Sequence, residues 1–156
     1  MGIGIINIGN LGFNWRVKMI SNPKYGWCNF KIRDFEGTPS FLTDVPIELL
    51  EAFIDLFNSG RGIAWFDEEG TEFTLVMTPY SIYIIEEKDK VVLHDYSEMT
   101  PKKLARELIE DIESNIVGWG AFLTIPEEDE NYKSECENHK SKIVELVEML
   151  KVELVD

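Results

Sequence analysis

Residues 62–96 read GIAWFDEEGTEFTLVMTPYSIYIIEEKDKVVLHDY, and they restrict the fold more than any other part of the chain. Four apolar runs, GIAWF, TEFTLVM, YSIYIIEE and VVLHDY, are separated by DEEG, by Pro79 and by KDK. Parallel neighbours need a crossover of about a dozen residues or more, which these turns cannot supply, so the four strands form an antiparallel meander. Within TEFTLVM, the alternation of Phe73, Leu75 and Met77 marks the face turned to the core.

Helices flank the meander. Asp44 is placed to cap a helix with Pro46 in its first turn, and Ile47, Leu50, Phe53, Ile54 and Phe57 recur at helical spacing until Asn58-Ser59-Gly60 stops them. The expected helix spans about residues 46–58. A second start, Thr100-Pro101, pairs a capping hydroxyl with a proline where no amide hydrogen is needed. Leu104, Leu108, Ile112 and Ile116 then form one stripe up to Gly118, which predicts a helix over 101–117. GWGAFLTIP reads as an apolar connector or short strand in which Trp119 and Phe122 pack. A last helix over 131–154 carries Tyr132, Cys136, His139, Ile143, Leu146, Leu150 and Leu154 at spacings of three and four.

The start of the chain is rich in glycine, GIGIINIGNLGFNW over residues 2–15. A phosphate-binding glycine loop must run from a strand into a helix N-terminus. This one runs into a strand-like alternation around Val17 and Met19, so Gly9 and Asn10 read as hairpin-turn residues and not as a nucleotide cradle. SNPKYG then turns into WCNFKIRDF, where Cys28, Phe30 and Ile32 alternate with polar residues. With the apolar sides inward, Arg16, Lys18, Lys31 and Arg33 would share one basic outer face, read either as a solvated sheet surface or as a patch for a partner.

The expectation is therefore a single α+β domain over residues 1–156, with N-terminal hairpins in 1–35, a helix–meander–helix unit in 45–123 and an acidic C-terminal helix in 130–156. It would hold an antiparallel sheet of six or seven strands with about three α-helices packed on it. The chain of 156 residues is 44% hydrophobic, enough for a sizeable core. The start has no basic n-region, no run of about 18 apolar residues occurs, and Ile6 breaks the myristoylation pattern after Gly2, so a cytoplasmic protein without a membrane partner is expected. Cys28 and Cys136 lack a CxxC signature and suit a reducing compartment.

Charge is the strongest compositional signal. The net charge is -14, and it is uneven: residues 1–44 hold five basic and three acidic side chains, which leaves -16 on the rest. Such a field repels nucleic acid and anionic membranes and speeds encounter with basic partners. The hairpin carboxylates Asp67, Glu68, Glu69 and Glu72 form the first candidate partner-binding patch, and residues 127–130 (EEDE) form the second.

Motifs of catalysis are missing from the sequence: there is no GxSxG elbow, no HExxH and no Walker loop. Cys28, His94, Cys136 and His139 are the full complement of cysteines and histidines. They come from three separate segments and lack the two short-spaced ligand pairs of a structural zinc site, so they read as packing residues. No catalytic residue, metal or cofactor is expected.

The order of elements in WFDEEGTEFTLVM, YSIYIIEE and YSEMTPKKLARELIEDIESNIVGWGAFL resembles small acidic immunity proteins of bacterial polymorphic and contact-dependent toxin systems. In those proteins a strand meander is followed by a leucine-rich helix that ends near a tryptophan, here Leu104, Leu108, Ile112 and Ile116 and then Trp119. The likeness covers about residues 45–123 and lies in layout, so it assigns no role to a residue by position. It implies a non-catalytic inhibitor that binds and neutralises a cognate toxin, often by covering a cationic nuclease site with carboxylates. The alternatives from composition are a small soluble binding or dimerisation module, a homodimer through the terminal helix, a phage-type acidic nucleic-acid mimic, and an enzyme whose groups converge without a motif.

Overall fold

The structure, a computed structural model, describes residues 16–155. The glycine-rich opening, read above as a hairpin over residues 2–15, lies outside them. Seven strands and four helices follow in the order β1 (Ile20–Lys24), β2 (Trp27–Ile32), β3 (Phe35–Gly37), α1 (Val45–Ser59), β4 (Gly62–Asp67), β5 (Glu72–Thr78), β6 (Ser81–Glu87), β7 (Val91–Asp95), α2 (Pro101–Glu113), α3 (Ile116–Gly120) and α4 (Tyr132–Glu153). The fold is α+β, as the strand and helix patterns require. Its strands divide into two antiparallel sheets, β1-β2-β3 and β4-β5-β6-β7, where the sequence predicts one.

Aromatic rings join the two sheets. Phe30 and Phe35 of the smaller sheet meet Phe66 and Phe73 of the larger, with centroid separations of 4.9 Å for Phe30–Phe73 and 5.0 Å for Phe35–Phe73. Leu49, Leu50 and Phe53 of α1 close the same core from the β4 side, and α4 covers α1 with Ile143, Leu146 and Leu150. Asp44 caps α1 through Ile47 N (3.5 Å), and Gly60 ends it in the left-handed region (φ 88°). Gly62 lets β4 run against that helix: a Cβ there would lie 2.0 Å from the Ala52 carbonyl oxygen.

Several expectations need correction. The strand predicted around Val17 and Met19 lies further on, at Ile20–Lys24, and the turn is Tyr25-Gly26, both with positive φ. The reason is Asp111, whose Oδ2 takes the amides of Met19 (2.7 Å) and Ile20 (3.4 Å) and draws this segment onto α2, with both side chains buried. The helix predicted over 101–117 ends at Glu113, and GWGAFLTIP is not a strand but begins inside a second short helix, α3. Ser114 bonds back to the Asp111 carbonyl (2.8 Å), and Asn115 caps α3 through Gly118 N (3.1 Å). These local side-chain bonds compete with helix continuation, although the apolar stripe crosses the break unchanged. At the other end of α2, Thr100 precedes Pro101 in extended conformation, but its hydroxyl makes no cap hydrogen bond.

The predicted basic face is kept only in part: Lys18 and Lys31 line one shallow cavity together with Glu36. Val17 is exposed and outside any strand, and each cation turns to an acceptor of its own. Arg16 reaches Asp111 (2.7 Å) and the Glu107 carbonyl (2.9 Å), Lys18 bonds Ser114 Oγ (3.0 Å), Lys31 pairs with Glu36 (3.6 Å) and Arg33 with Glu98 (3.7 Å).

Candidate functional site

The acidic hairpin between β4 and β5 sorts its four carboxylates by register. Asp67 and Glu72 face each other as the last ladder pair, and Glu69-Gly70 make the two-residue turn with φ of 58° and 137°. Positive φ at both central residues matches the right-handed twist of the strands. Asp67 Oδ1 accepts the Glu69 amide (2.6 Å), which fixes the turn, and the Glu69 side chain is exposed at its tip. Glu68 points elsewhere: it accepts from Thr38 N (2.8 Å) and Thr71 Oγ1 (2.9 Å), stapling the hairpin to the β3–α1 connector. Glu72 Oε2 accepts the indole N–H of Trp65 at 2.7 Å. Asp67 and Glu72 are thus brought together on the outer face of the sheet, Glu69 stands beside them at the turn, and Glu68 is a structural tie.

Cross-strand register extends this pair. Residues opposite each other on neighbouring strands share a face. Glu72 is opposite Glu87, so Asp67, Glu72 and Glu87 form a row of three carboxylates across three strands. Like charges placed opposite one another are unfavourable. Among the described residues, no ion pair joins these three to a lysine or arginine. Lys88, in the next turn, pairs instead with Glu86 (3.2 Å).

Two rows beside the acidic one are largely apolar. Trp65, Thr74, Ile85 and Leu93 align across the sheet, as do Ile63, Val76, Tyr83 and Asp95. Alternate residues of the same strands fill the core, and α1 packs on that inner side, so these rows face outward. Ile63 and Leu93 are 59% and 58% exposed and Trp65 is 43% exposed. A contiguous apolar sheet face bordered by carboxylates is the arrangement of a recognition surface. The sequence signal for it is present but easily passed over: IYII and VVL are apolar without interruption, whereas a strand with one solvated face alternates.

The cysteines and histidines lie apart. Cys28 is buried under β2 against the Pro39 carbonyl, and burial pushes its thiol up to about 12, away from thiolate chemistry. His94 bonds Glu86 (3.0 Å) and touches the Phe35 ring. The hydrogen bond from His94 holds the Glu86 carboxyl below its ordinary value. His139 is buried between α1 and α3, and Cys136 sits one turn before it on α4. Among the described residues no three metal-ligating side chains cluster.

An open groove of about 420 Å³ lies between the β1–β2 turn and the α3–α4 connector, lined by Pro23, Tyr25, Phe41, Phe122, Ile125 and Tyr132 among others. The 127–130 segment is exposed in that connector. Along α4 the carboxylates alternate with lysines, and Lys140–Glu137, Lys142–Glu145 and Lys151–Glu148 pair within the helix. Among the described residues, no helix is long and apolar enough to cross a membrane.

Comparison with protein-family models, with curated proteins and with solved structures finds no match.

Proposed function

We propose that this chain is a non-catalytic inhibitor of the immunity type, which binds and neutralises a cognate basic bacterial toxin. The observation that carries the reading is the outer face of the β4–β7 sheet, where exposed Ile63, Trp65 and Leu93 border the row Asp67, Glu72 and Glu87, with which no lysine or arginine among the described residues pairs. Binding of a cationic surface there would bury the apolar rows and relieve repulsion within the acidic one, so both contributions favour the same partner. The net charge of -14 adds long-range steering of a basic domain, which raises the association rate and makes it sensitive to salt.

The test is co-expression with the product of the gene immediately upstream, which the reading expects to be a toxin that arrests growth; a product without toxicity counts against the reading. The reading expects host growth to be restored and the two proteins to co-purify at low salt. Unrelieved growth arrest with both proteins produced would remove it. A dimerisation module is the second reading, favoured by the exposed Val144, Met149 and Val152 on α4, and sedimentation of the pure chain as a dimer would select it.

A further inference from the structure

The larger sheet has two edges, and the fold closes one of them. On β4 the outward amides of Trp65 and Asp67 go to Glu48 Oε2 (3.3 Å) and Thr43 Oγ1 (3.4 Å), and the Asp67 carbonyl takes Ser40 N (2.9 Å). On β7 the Tyr96 amide donates inward to the Ile82 carbonyl (2.7 Å). Antiparallel pairs alternate between bonded and non-bonded, so His94 and Val92 also bond β6, while the N–H and C=O groups of Val91, Leu93 and Asp95 point away from it. No described strand or loop takes them. Natural edges are blunted by proline, lysine or a bulge. Val91–Asp95 contains none of these, its register with β6 is unbroken, and Val91 and Leu93 are exposed.

This open edge ends the outward rows of the sheet: Leu93 closes the row of Trp65 and Ile85, and Asp95 closes that of Ile63 and Tyr83. We infer that β7 receives an extended segment of the basic partner protein, which joins the sheet as a fifth strand; this rests on the reading that the chain acts by binding such a protein. Main-chain hydrogen bonds would supply affinity, and side chains on alternate positions would supply selectivity. The position opposite Leu93 falls beside an apolar row and the position opposite Asp95 beside a carboxylate. The incoming strand therefore carries an aliphatic or aromatic residue at the first and a lysine or arginine two residues away. Residues 81–98 hold five carboxylates and two lysines, so a cationic strand is complementary to this edge, whereas a second copy would bring two chains of net charge -14 together along it.

The test is an NMR titration of the ¹⁵N-labelled chain with the peptide Lys-Thr-Val-Thr-Lys-Thr-Val-Thr, whose lysines and valines share one face of a strand, and with its glutamate counterpart. The inference expects the lysine peptide to shift the amide signals of Val91, Leu93 and Asp95. It also expects about tenfold weaker binding in Leu93→Lys and in about 0.5 M salt, and no binding of the glutamate peptide. No shifts at β7, equal binding of both peptides, or a β7-mediated dimer of the free chain would overturn it. Toxin neutralisation that survives Leu93→Lys overturns this inference and leaves the proposed function standing. Peptide docking on β7 by a chain that neutralises no toxin does the reverse.

Discussion

His139 Nε2 lies 2.8 Å from Asp44 Oδ2, while its Nδ1 lies 2.9 Å from the Gly120 carbonyl oxygen. A carbonyl only accepts, so Nδ1 carries a hydrogen, and Nε2 faces a carboxylate that favours a second one. Burial pulls the imidazole pKa down, but the hydrogen bond and charge of Asp44, aided by Gly120, outweigh it, so the group titrates above its ordinary value. One side chain of α4 thereby ties the cap of α1 to the end of α3.

A pH dependence follows. With a folded-state pKa above the unfolded value of about 6.5, the contact stabilises fully below that value and is lost as pH rises through the folded value. Asp44→Asn keeps an oxygen to cap Ile47 but removes the charge. Below about pH 6 it should cost about 1.5–3 kcal/mol, and it should flatten the fall in urea midpoint between mildly acidic and alkaline pH. An unchanged slope would remove the pair from the stability of the fold.

Asp111 is buried and accepts from Arg16 and from the amides of Met19 and Ile20. Burial pushes its carboxyl up, against the pull of these donors. Asp111→Ala would strand the buried Met19 amide and take from Arg16 its shortest contact, leaving it the Glu107 carbonyl and Glu110, and should cost about 1–3 kcal/mol in urea unfolding. Asp111→Asn retains an oxygen for the amide and should cost less.

Two glycines close in sequence should fail for different reasons. Gly60 has open space around a Cβ but a φ of 88°, so Gly60→Ala should cost about 1 kcal/mol. Gly62→Ala drives a Cβ into the Ala52 carbonyl and should cost about 3 kcal/mol by forcing α1 off β4. Thermal denaturation of the two variants distinguishes strain in the backbone from collision.

The acidic row should trade stability for recognition. Glu87→Lys places a cation opposite Glu72 and should raise unfolding free energy by about 0.2–1 kcal/mol while slowing association with the basic partner. A variant that is both less stable and an equally fast binder would contradict the role given to this row.

Much of the architecture is legible in the sequence because it is set locally. Short turns dictate the meander, and Asp44 with Gly60 brackets α1. What is not legible depends on distant residues. β1 is displaced by the carboxylate of Asp111, more than ninety residues away, and the basic face is broken up because Arg16, Lys31 and Arg33 pair with carboxylates and Lys18 with Ser114. The acidic hairpin is legible as a cluster, but its division is not: only the strand register shows Asp67 and Glu72 joined by Glu87 and Glu68 drawn off to Thr38. The apolar rows need the same register, since SIYII alone does not say which residues share a face with Trp65.

The most direct measurement is the association rate of the chain with a basic protein that co-purifies with it from its host, at about 0.05 M and about 0.5 M salt, for the native protein and for a triple Asp67→Lys, Glu72→Lys, Glu87→Lys variant. A docking face on the β4–β7 sheet predicts a native rate that falls at least about tenfold with salt and a variant rate that is slow at both concentrations. Equal rates for the two proteins at low salt would contradict it.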